Sequence, residues 1–182
     1  LAIIIVMNTD QFTIAEHHFK TADGIHTLYV HEWGNPDGKP ILYVHGGPGD
    51  GCNDKNKLFF DPKEFRVVFL DQRGSGKSTP VGSIENNTTD LIIEDIELVR
   101  TKLKIEKWAI TGTSWGSTLS LFYSIKHPDR ISRMIIGAIW LGSKSELDWL
   151  FGGRWKDFFP ELWERFVKNT PAEYRQNTGD YH

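Results

Sequence analysis

Cysteine is almost absent from this 182-residue chain, which contains only Cys52. One thiol cannot form an internal disulfide, so we expect a reducing, cytoplasmic environment. Cys52 lies in a loop rich in glycine, asparagine and aspartate, without a second cysteine nearby. This setting favours a half-exposed free thiol over a catalytic nucleophile.

Long hydrophobic runs are also absent. The apolar stretch LAIIIVM, residues 1–7, is too short to span a bilayer and lacks the basic flank and cleavage site of a signal peptide. We therefore expect no membrane partner. We also expect Met7 to be the natural start, with residues 1–6 being upstream sequence or a fragment end.

Charge of one sign is not in excess, because the net charge is −3 with 25% charged residues. A nucleic-acid partner normally requires a basic surface, so none is expected. The hydrophobic fraction of 39% and the length predict a globular domain with a sizeable core.

The pattern along the chain predicts an α/β fold. Residues 12–35 alternate around Asp23-Gly24, as in a two-stranded antiparallel hairpin. Short apolar runs then alternate with helical patterns, as in a mostly parallel sheet. The predicted strands lie at 40–46, 65–71, 107–112 and 131–140, and the predicted helices begin near Thr88 and Trp115.

The chain changes character after Trp140, where aromatic and charged residues alternate in a helical pattern. We therefore divide it into a core region, residues 1–140, and a helical element, residues 141–182.

The stretch DQRGSGKSTP, residues 71–80, superficially matches a phosphate-binding loop. The required spacing places Asp71 where the first glycine must be, and no helix follows directly. The favoured interpretation is a tight loop between a strand and a helix, and a nucleotide-hydrolysing protein remains only an alternative.

A more informative motif is Gly-Thr-Ser-Trp-Gly, residues 112–116, between an apolar strand and a helix. This is the context of a nucleophile elbow, with Ser114 as the candidate nucleophile. Serine acyl transfer also needs two N–H donors for the oxyanion. We expect them from the backbone of Trp115 and from the loop containing Gly46 and Gly47.

A general base is harder to place. In this kind of fold an acid and then a histidine follow the serine. His127 should point away, and Asp180 and His182 lie in the helical element without a strand to carry them. The five histidines before residue 46 lack metal-ligand spacing, and those of the hairpin are expected at the surface.

Together these motifs resemble proline iminopeptidase, a serine aminopeptidase family of the α/β-hydrolase fold that releases N-terminal proline from peptides. The similarity extends from about Phe12 onward. The matching segments are 45–49 (HGGPG), 71–80, 87–100, 112–130 and 158–167.

The resemblance implies that Ser114 is the nucleophile, that Trp115, Gly46 and Gly47 supply the oxyanion hole, and that no cofactor or metal is needed. It also implies that residues from 141 begin a helical cap. The family's triad Asp and His, and its closing C-terminal strands, would lie beyond His182, so we expect a fragment that is inactive and poorly soluble by itself.

Two departures from the family pattern concern Thr113, where glycine is usual, and Gly137-Ala138-Ile139, where Arg-Gly-Ile is frequent. The first should leave the turn intact, and the second bears on fine specificity. Alternatives are another aminopeptidase, an esterase with the same front half, or a truncated product with a binding role.

Overall fold

The computed structural model describes residues 10–150 and 154–170, and the chain divides into two compact units, Leu1–Ile139 and Trp140–His182. The first unit is a sheet with flanking helices. Its elements are β1 (Thr13–Lys20), β2 (Thr27–Gly34), β3 (Lys39–Val44), α1 (Asp54–Lys57), β4 (Phe65–Leu70), α2 (Thr89–Lys102), β5 (Trp108–Ser114), α3 (Trp115–Lys126) and β6 (Ile131–Ile139).

The six strands form one sheet in the order β1-β2-β4-β3-β5-β6. Strands β4, β3, β5 and β6 are parallel to one another, whereas β1 and β2 pair antiparallel at one edge. The predicted mostly parallel sheet with an N-terminal antiparallel hairpin is confirmed. Gly24 adopts a φ of 73° in the hairpin turn, which explains the Asp-Gly signal.

The central strands are continuous apolar runs because both of their faces are buried. On β4, Val68 and Leu70 join the larger core cluster, and Val67 and Phe69 join the smaller one. The sheet is therefore covered on both sides. The larger cluster includes side chains of α2 and α3.

Helix α2 follows the pattern expected from its sequence. Thr88 is its N-cap, and the Thr88 hydroxyl accepts a hydrogen bond from the Leu91 N–H. The side chains at helical spacing are fully or almost fully buried, namely Ile92, Ile93, Ile96 and Val99. Burial of this face, together with the cap, explains where the helix begins and why it packs on the sheet.

The prediction that the hairpin histidines lie at the surface is wrong for His26. Its side chain is 0% exposed, and Nε2 is hydrogen-bonded to the Glu85 carbonyl oxygen at 2.7 Å. The loop at 80–87 folds over the hairpin turn and covers this ring, a contact that alternation within the hairpin cannot reveal. The other three are partly or largely exposed, namely His17, His18 and His31.

The second unit is helical in its described part, with α4 (Lys144–Leu150), a short 3-10 turn (Arg154–Asp157) and α5 (Pro160–Asn169). Three aromatic rings, Trp155, Trp163 and Phe166, contact one another with centroids 5.2–6.1 Å apart. The role of this unit as a cap stays a prediction. None of the helices described in either unit is long and apolar enough to cross a membrane.

A buried ion pair fastens the 71–80 loop to the rest of the first unit. Arg73 is 2% exposed and makes a bidentate contact with Asp95 of α2, with both N–O distances at 2.7 Å. It also donates to Asp23 in the hairpin turn and to the carbonyl of Asn86. One guanidinium therefore joins three segments that are distant in sequence.

We expect Arg73→Met to lower the free energy of unfolding by about 3–5 kcal/mol, because it leaves the Asp95 carboxylate buried without its partner. Burial already raises the pKa of Asp95. Without the guanidinium this pKa rises further, so the loss should grow as the pH rises above the ordinary range of a carboxyl group. Urea unfolding at several pH values measures both effects.

Lys126→Met is the matched control, because the ion pair between Lys126 of α3 and Asp90 of α2 is exposed to solvent. This variant should change stability little. Equal losses in the two variants would contradict the importance of the buried pair.

Candidate active site

Ser114 lies where β5 ends and α3 begins, with no residue between the two elements. Its φ of 54° and ψ of −127° fall in a region that residues other than glycine rarely adopt. Although serine is a favoured N-cap residue, its side chain makes no capping hydrogen bond here. The strained turn thus presents an exposed hydroxyl at the N-terminus of a helix.

The two glycines of the motif are required by close packing. A Cβ at Gly116 would lie 2.2 Å from the Val44 carbonyl oxygen at the end of β3. A Cβ at Gly112 would lie 2.5 Å from the carbonyl oxygen of Gly116. Both obstacles are backbone atoms, so the Gly-x-Ser-x-Gly spacing follows from the geometry of the turn.

The loop after β3 passes beside Ser114. Strands β3 and β5 are parallel neighbours with Val44 opposite Gly112, so their carboxyl ends lie side by side. A Cβ at Gly46 would be 3.5 Å from the Cβ of Ser114. The structure therefore places Gly46 beside Ser114, and the other two residues selected from the sequence, Gly47 and Trp115, are their direct neighbours in the chain.

Three neighbouring side chains connect these backbone segments. The Nε2 of His45, 1% exposed, accepts a hydrogen bond from the backbone N–H of Gln72 at 3.0 Å. Because a backbone N–H can only donate, the proton of the neutral ring is on Nδ1, which donates to the Gly46 carbonyl at 2.8 Å. The Gln72 amide donates to the His45 carbonyl at 2.9 Å and accepts from the Trp115 indole at 3.2 Å.

The glycine-rich stretch at 71–80 folds around its own aspartate. The Asp71 carboxylate accepts hydrogen bonds from the backbone N–H groups of Cys52 and Lys77, both at 2.7 Å. The Lys77 ammonium contacts the Tyr29 hydroxyl at 3.2 Å and lies over its ring. The groups that would bind a phosphate in a nucleotide-binding loop are thus engaged with groups of this chain.

Cys52 has the environment of an inert thiol. Burial, together with the negative charge of Asp71, raises its pKa well above the usual range. The thiol lies 3.6 Å from the Leu70 carbonyl oxygen, which it faces as a weak donor. A protonated thiol is a poor nucleophile, in agreement with the interpretation from the sequence.

No histidine of the described residues is hydrogen-bonded to Ser114. His127 caps the far end of α3, about 18 Å along the helix axis from the serine, and its ring packs on Tyr123. Asp180 and His182 lie outside the described residues. Within residues 10–150 and 154–170 no group of three or more potential ligands could hold a metal ion.

We expect Gly116→Ala to lower the free energy of unfolding by roughly 1–3 kcal/mol, because the added methyl must displace the backbone at the end of β3. Gly137→Ala is the control, since its nearest atom, the Thr113 Cγ2, is 3.5 Å from the added Cβ. Thermal unfolding of both variants tests this. A Gly116→Ala protein as stable as the control would contradict the close approach.

His45 should make stability depend on pH. Burial lowers its pKa, while the Gly46 carbonyl and the charges of Asp71 and Asp50 oppose this shift more weakly. A base with a lowered pKa in the folded state contributes stability above about pH 6.5 and loses it as the pH falls. Urea unfolding from about pH 8 to about pH 5 should show this decline.

His45→Gln should remove part of the decline. Burial also lowers the pKa of His31, so His31 should likewise make stability decline as the pH falls. His31→Gln therefore serves as the comparison. An unchanged pH slope in His45→Gln would contradict the neutral buried ring.

Comparison with known proteins places these features in a family. A profile described as "alpha/beta hydrolase fold" matches residues 39–179. The chain is 45% identical to a proline iminopeptidase of Arabidopsis thaliana over 158 residues, which is 87% of this chain and 41% of the relative. It is 46% identical to the proline iminopeptidase of Neisseria gonorrhoeae, over 84% of this chain and 49% of the relative.

Solved structures show the same fold. A proline iminopeptidase-related protein of Thermus thermophilus matches with a TM-score of 0.58 and 27% identity, over 68% of this chain and 44% of that one. An epoxide hydrolase of Vigna radiata, 18% identical over 79% of this chain and 47% of its own, matches with a TM-score of 0.63 and supports the fold alone.

The chain spans about half the length of the curated relatives it matches. The resemblance to proline iminopeptidases is confirmed by identities of 40–46% over most of the chain. The sheet order, the strand-to-helix turn at Ser114 and the profile match agree with one another. The chain therefore belongs to the α/β-hydrolase fold family.

Proposed function

We propose that Ser114 is the nucleophile of a serine aminopeptidase that releases N-terminal proline from peptides. The observation that carries the proposal is the strained backbone of Ser114, with a φ of 54°, at an exposed residue whose side chain makes no capping bond. The relatives named proline iminopeptidase supply the substrate class.

The chemistry would begin with attack of the Ser114 Oγ on the carbonyl carbon of an N-terminal prolyl residue. The hydroxyl proton passes to a general base, and the carbonyl π electrons move to oxygen, giving a tetrahedral oxyanion. The N–H of Trp115 and the N–H groups of the loop at Gly46 and Gly47 are proposed to stabilise that oxygen.

Collapse of this intermediate breaks the peptide C–N bond, and the protonated base returns its proton to the leaving amine. Water then hydrolyses the prolyl ester, freeing proline and the Ser114 hydroxyl. We propose that a histidine and an acid outside the described residues act as base and orienting partner, because none of the described histidines is hydrogen-bonded to Ser114. No step calls for a metal or a cofactor.

The site leaves room for a substrate beside these donors. A depression of about 460 Å³ is lined by Pro48, Gly49, Gln72, Ile84 and Trp115, among others. Its walls combine backbone, amide, hydroxyl and apolar groups, and the charged side chain among them, Arg73, is already paired with Asp95. Such a lining suits a short peptide better than a highly charged ligand. We propose that part of the peptide lies here.

A cytoplasmic location accords with the single thiol of Cys52.

Ser114→Ala in the full-length protein should abolish turnover of a proline-arylamide, with kcat/KM reduced by about 10⁴-fold or more, because the nucleophile is lost. Release of the arylamine measures the reaction, and circular dichroism checks that the variant is folded.

Ser124→Ala is the matched control, since its hydroxyl donates to the Ser120 carbonyl farther along α3 and not to the Ser114 turn. It should retain turnover. A Ser114→Ala protein that kept its full rate would overturn the nucleophile, and faster turnover of a simple ester than of the proline-arylamide would favour an esterase.

A further inference from the structure

Gln72 occupies an unusual place beside the candidate active site. It is 3% exposed, and both ends of its side-chain amide are used. The Nε2 donates to the His45 carbonyl and the Oε1 accepts from the Trp115 indole. Its hydrogen bonds cross 27 and 43 positions of sequence and join the loops that carry the proposed oxyanion donors.

The hydrogen bonds of Gln72 determine how the peptides of the 45–49 loop are turned. In a planar trans peptide the carbonyl and the following N–H point in opposite directions. Since the Gln72 amide holds the His45 carbonyl, the N–H of Gly46 is turned away from Gln72. A flip of this peptide would break the bond between Gln72 and His45.

The next peptide is held through the His45 ring. The Gln72 backbone N–H occupies Nε2, which places the proton on Nδ1, and Nδ1 then holds the Gly46 carbonyl. The N–H of Gly47 is therefore turned away from the His45 ring. Both glycines lack the Cβ that restricts other residues, so without such bonds these two peptides could rotate easily.

Gln72 itself is fixed by its neighbours. Asp71 binds two backbone N–H groups through its carboxylate, and Arg73 makes the buried ion pair with Asp95. Because its two neighbours are fixed in this way, the Gln72 side chain is held in one position and can restrain the flexible glycine loop at 45–49.

We propose that Gln72 is a positioning residue that holds the Gly46 and Gly47 peptides in the orientation in which their N–H groups can stabilise the oxyanion. It does not touch the reacting atoms. The proposal rests on the proposed function of Ser114 and deepens it, because a preorganised donor stabilises the transition state without reorganisation at the moment of reaction.

The test compares kcat and KM of Gln72→Met with wild type in the full-length protein, using a proline-arylamide. Methionine has nearly the same shape but offers neither side-chain hydrogen bond. It releases the His45 carbonyl and the Trp115 indole, whereas the Gln72 backbone N–H that holds the His45 ring remains. We expect kcat to fall roughly 10- to 100-fold with KM within about 2-fold, because the donors act on the transition state rather than on the substrate. A fluorophosphonate titration of reactive serine normalises kcat to correctly folded sites.

Tyr123→Phe is the control for loss of stability alone. The Tyr123 hydroxyl is also buried and donates to Glu97 of α2, but it contacts none of the residues around Gln72. Its kcat per titrated serine should equal that of wild type. If Gln72→Met does not fold, Gln72→Asn, which withdraws the amide by one methylene, carries the same comparison with a smaller expected loss.

A prolyl boronic acid, which mimics the tetrahedral intermediate, should lose affinity for the Gln72 variant by the same factor as kcat, while free proline should bind equally to both proteins. Unchanged kcat per titrated serine in the folded Gln72 variant, beside an inactive Ser114→Ala, would overturn this proposal alone. Full activity of Ser114→Ala would overturn the proposed function and this proposal together.

Discussion

The contact between Gly116 and the Val44 carbonyl is the constraint on which the candidate site depends. The start of α3 can approach the end of β3 only because Gly116 has no side chain. This approach places the N-terminus of α3 and Ser114 beside the loop that leaves β3. The register of the parallel strands β3 and β5, with Val44 opposite Gly112, determines that the Ser114 turn and the loop after β3 lie at the same edge of the sheet. The strain at Ser114 persists because packing on both sides of the turn leaves no room to relax it.

Around this contact the loops are held by polar groups rather than by apolar packing. Asp71, Gln72 and Arg73 are consecutive and are all almost fully buried, and each binds a different partner segment. Their bonds are made in a region of low dielectric, where a missing partner is costly. Loops that carry functional groups are usually mobile, and this cluster explains how glycine-rich segments here acquire a defined geometry.

Much of this could be predicted from the sequence, because it depends on local pattern. Apolar runs revealed β3, β4 and β5, helical spacing revealed α2, and the spacing of Gly112, Ser114 and Gly116 identified the turn. The roles of His26, His45 and Gln72 could not be predicted in this way. Their partners lie 59 and 27 positions away in sequence, and a buried histidine or glutamine has no periodic signature. The polar side chains that orient a site are therefore found only from the fold.

Two glycine-rich loops of this protein use the same chemistry with different acceptors. Glycine lets backbone N–H groups converge, and converging N–H groups bind an anion. At 71–77 the chain supplies the anion itself, since the Asp71 carboxylate binds the Lys77 N–H. At 46–47 the His45 and Gly46 carbonyls are the groups that bind Gln72 and the His45 ring, so the N–H groups face the other way. A loop whose anion is built in is structural, whereas one whose donors are turned outward can serve a transient oxyanion. Gln72 connects the two loops. It follows Asp71, whose carboxylate is the anion of the first loop, and its side chain is hydrogen-bonded to the His45 carbonyl of the second loop, which is proposed to bind the oxyanion.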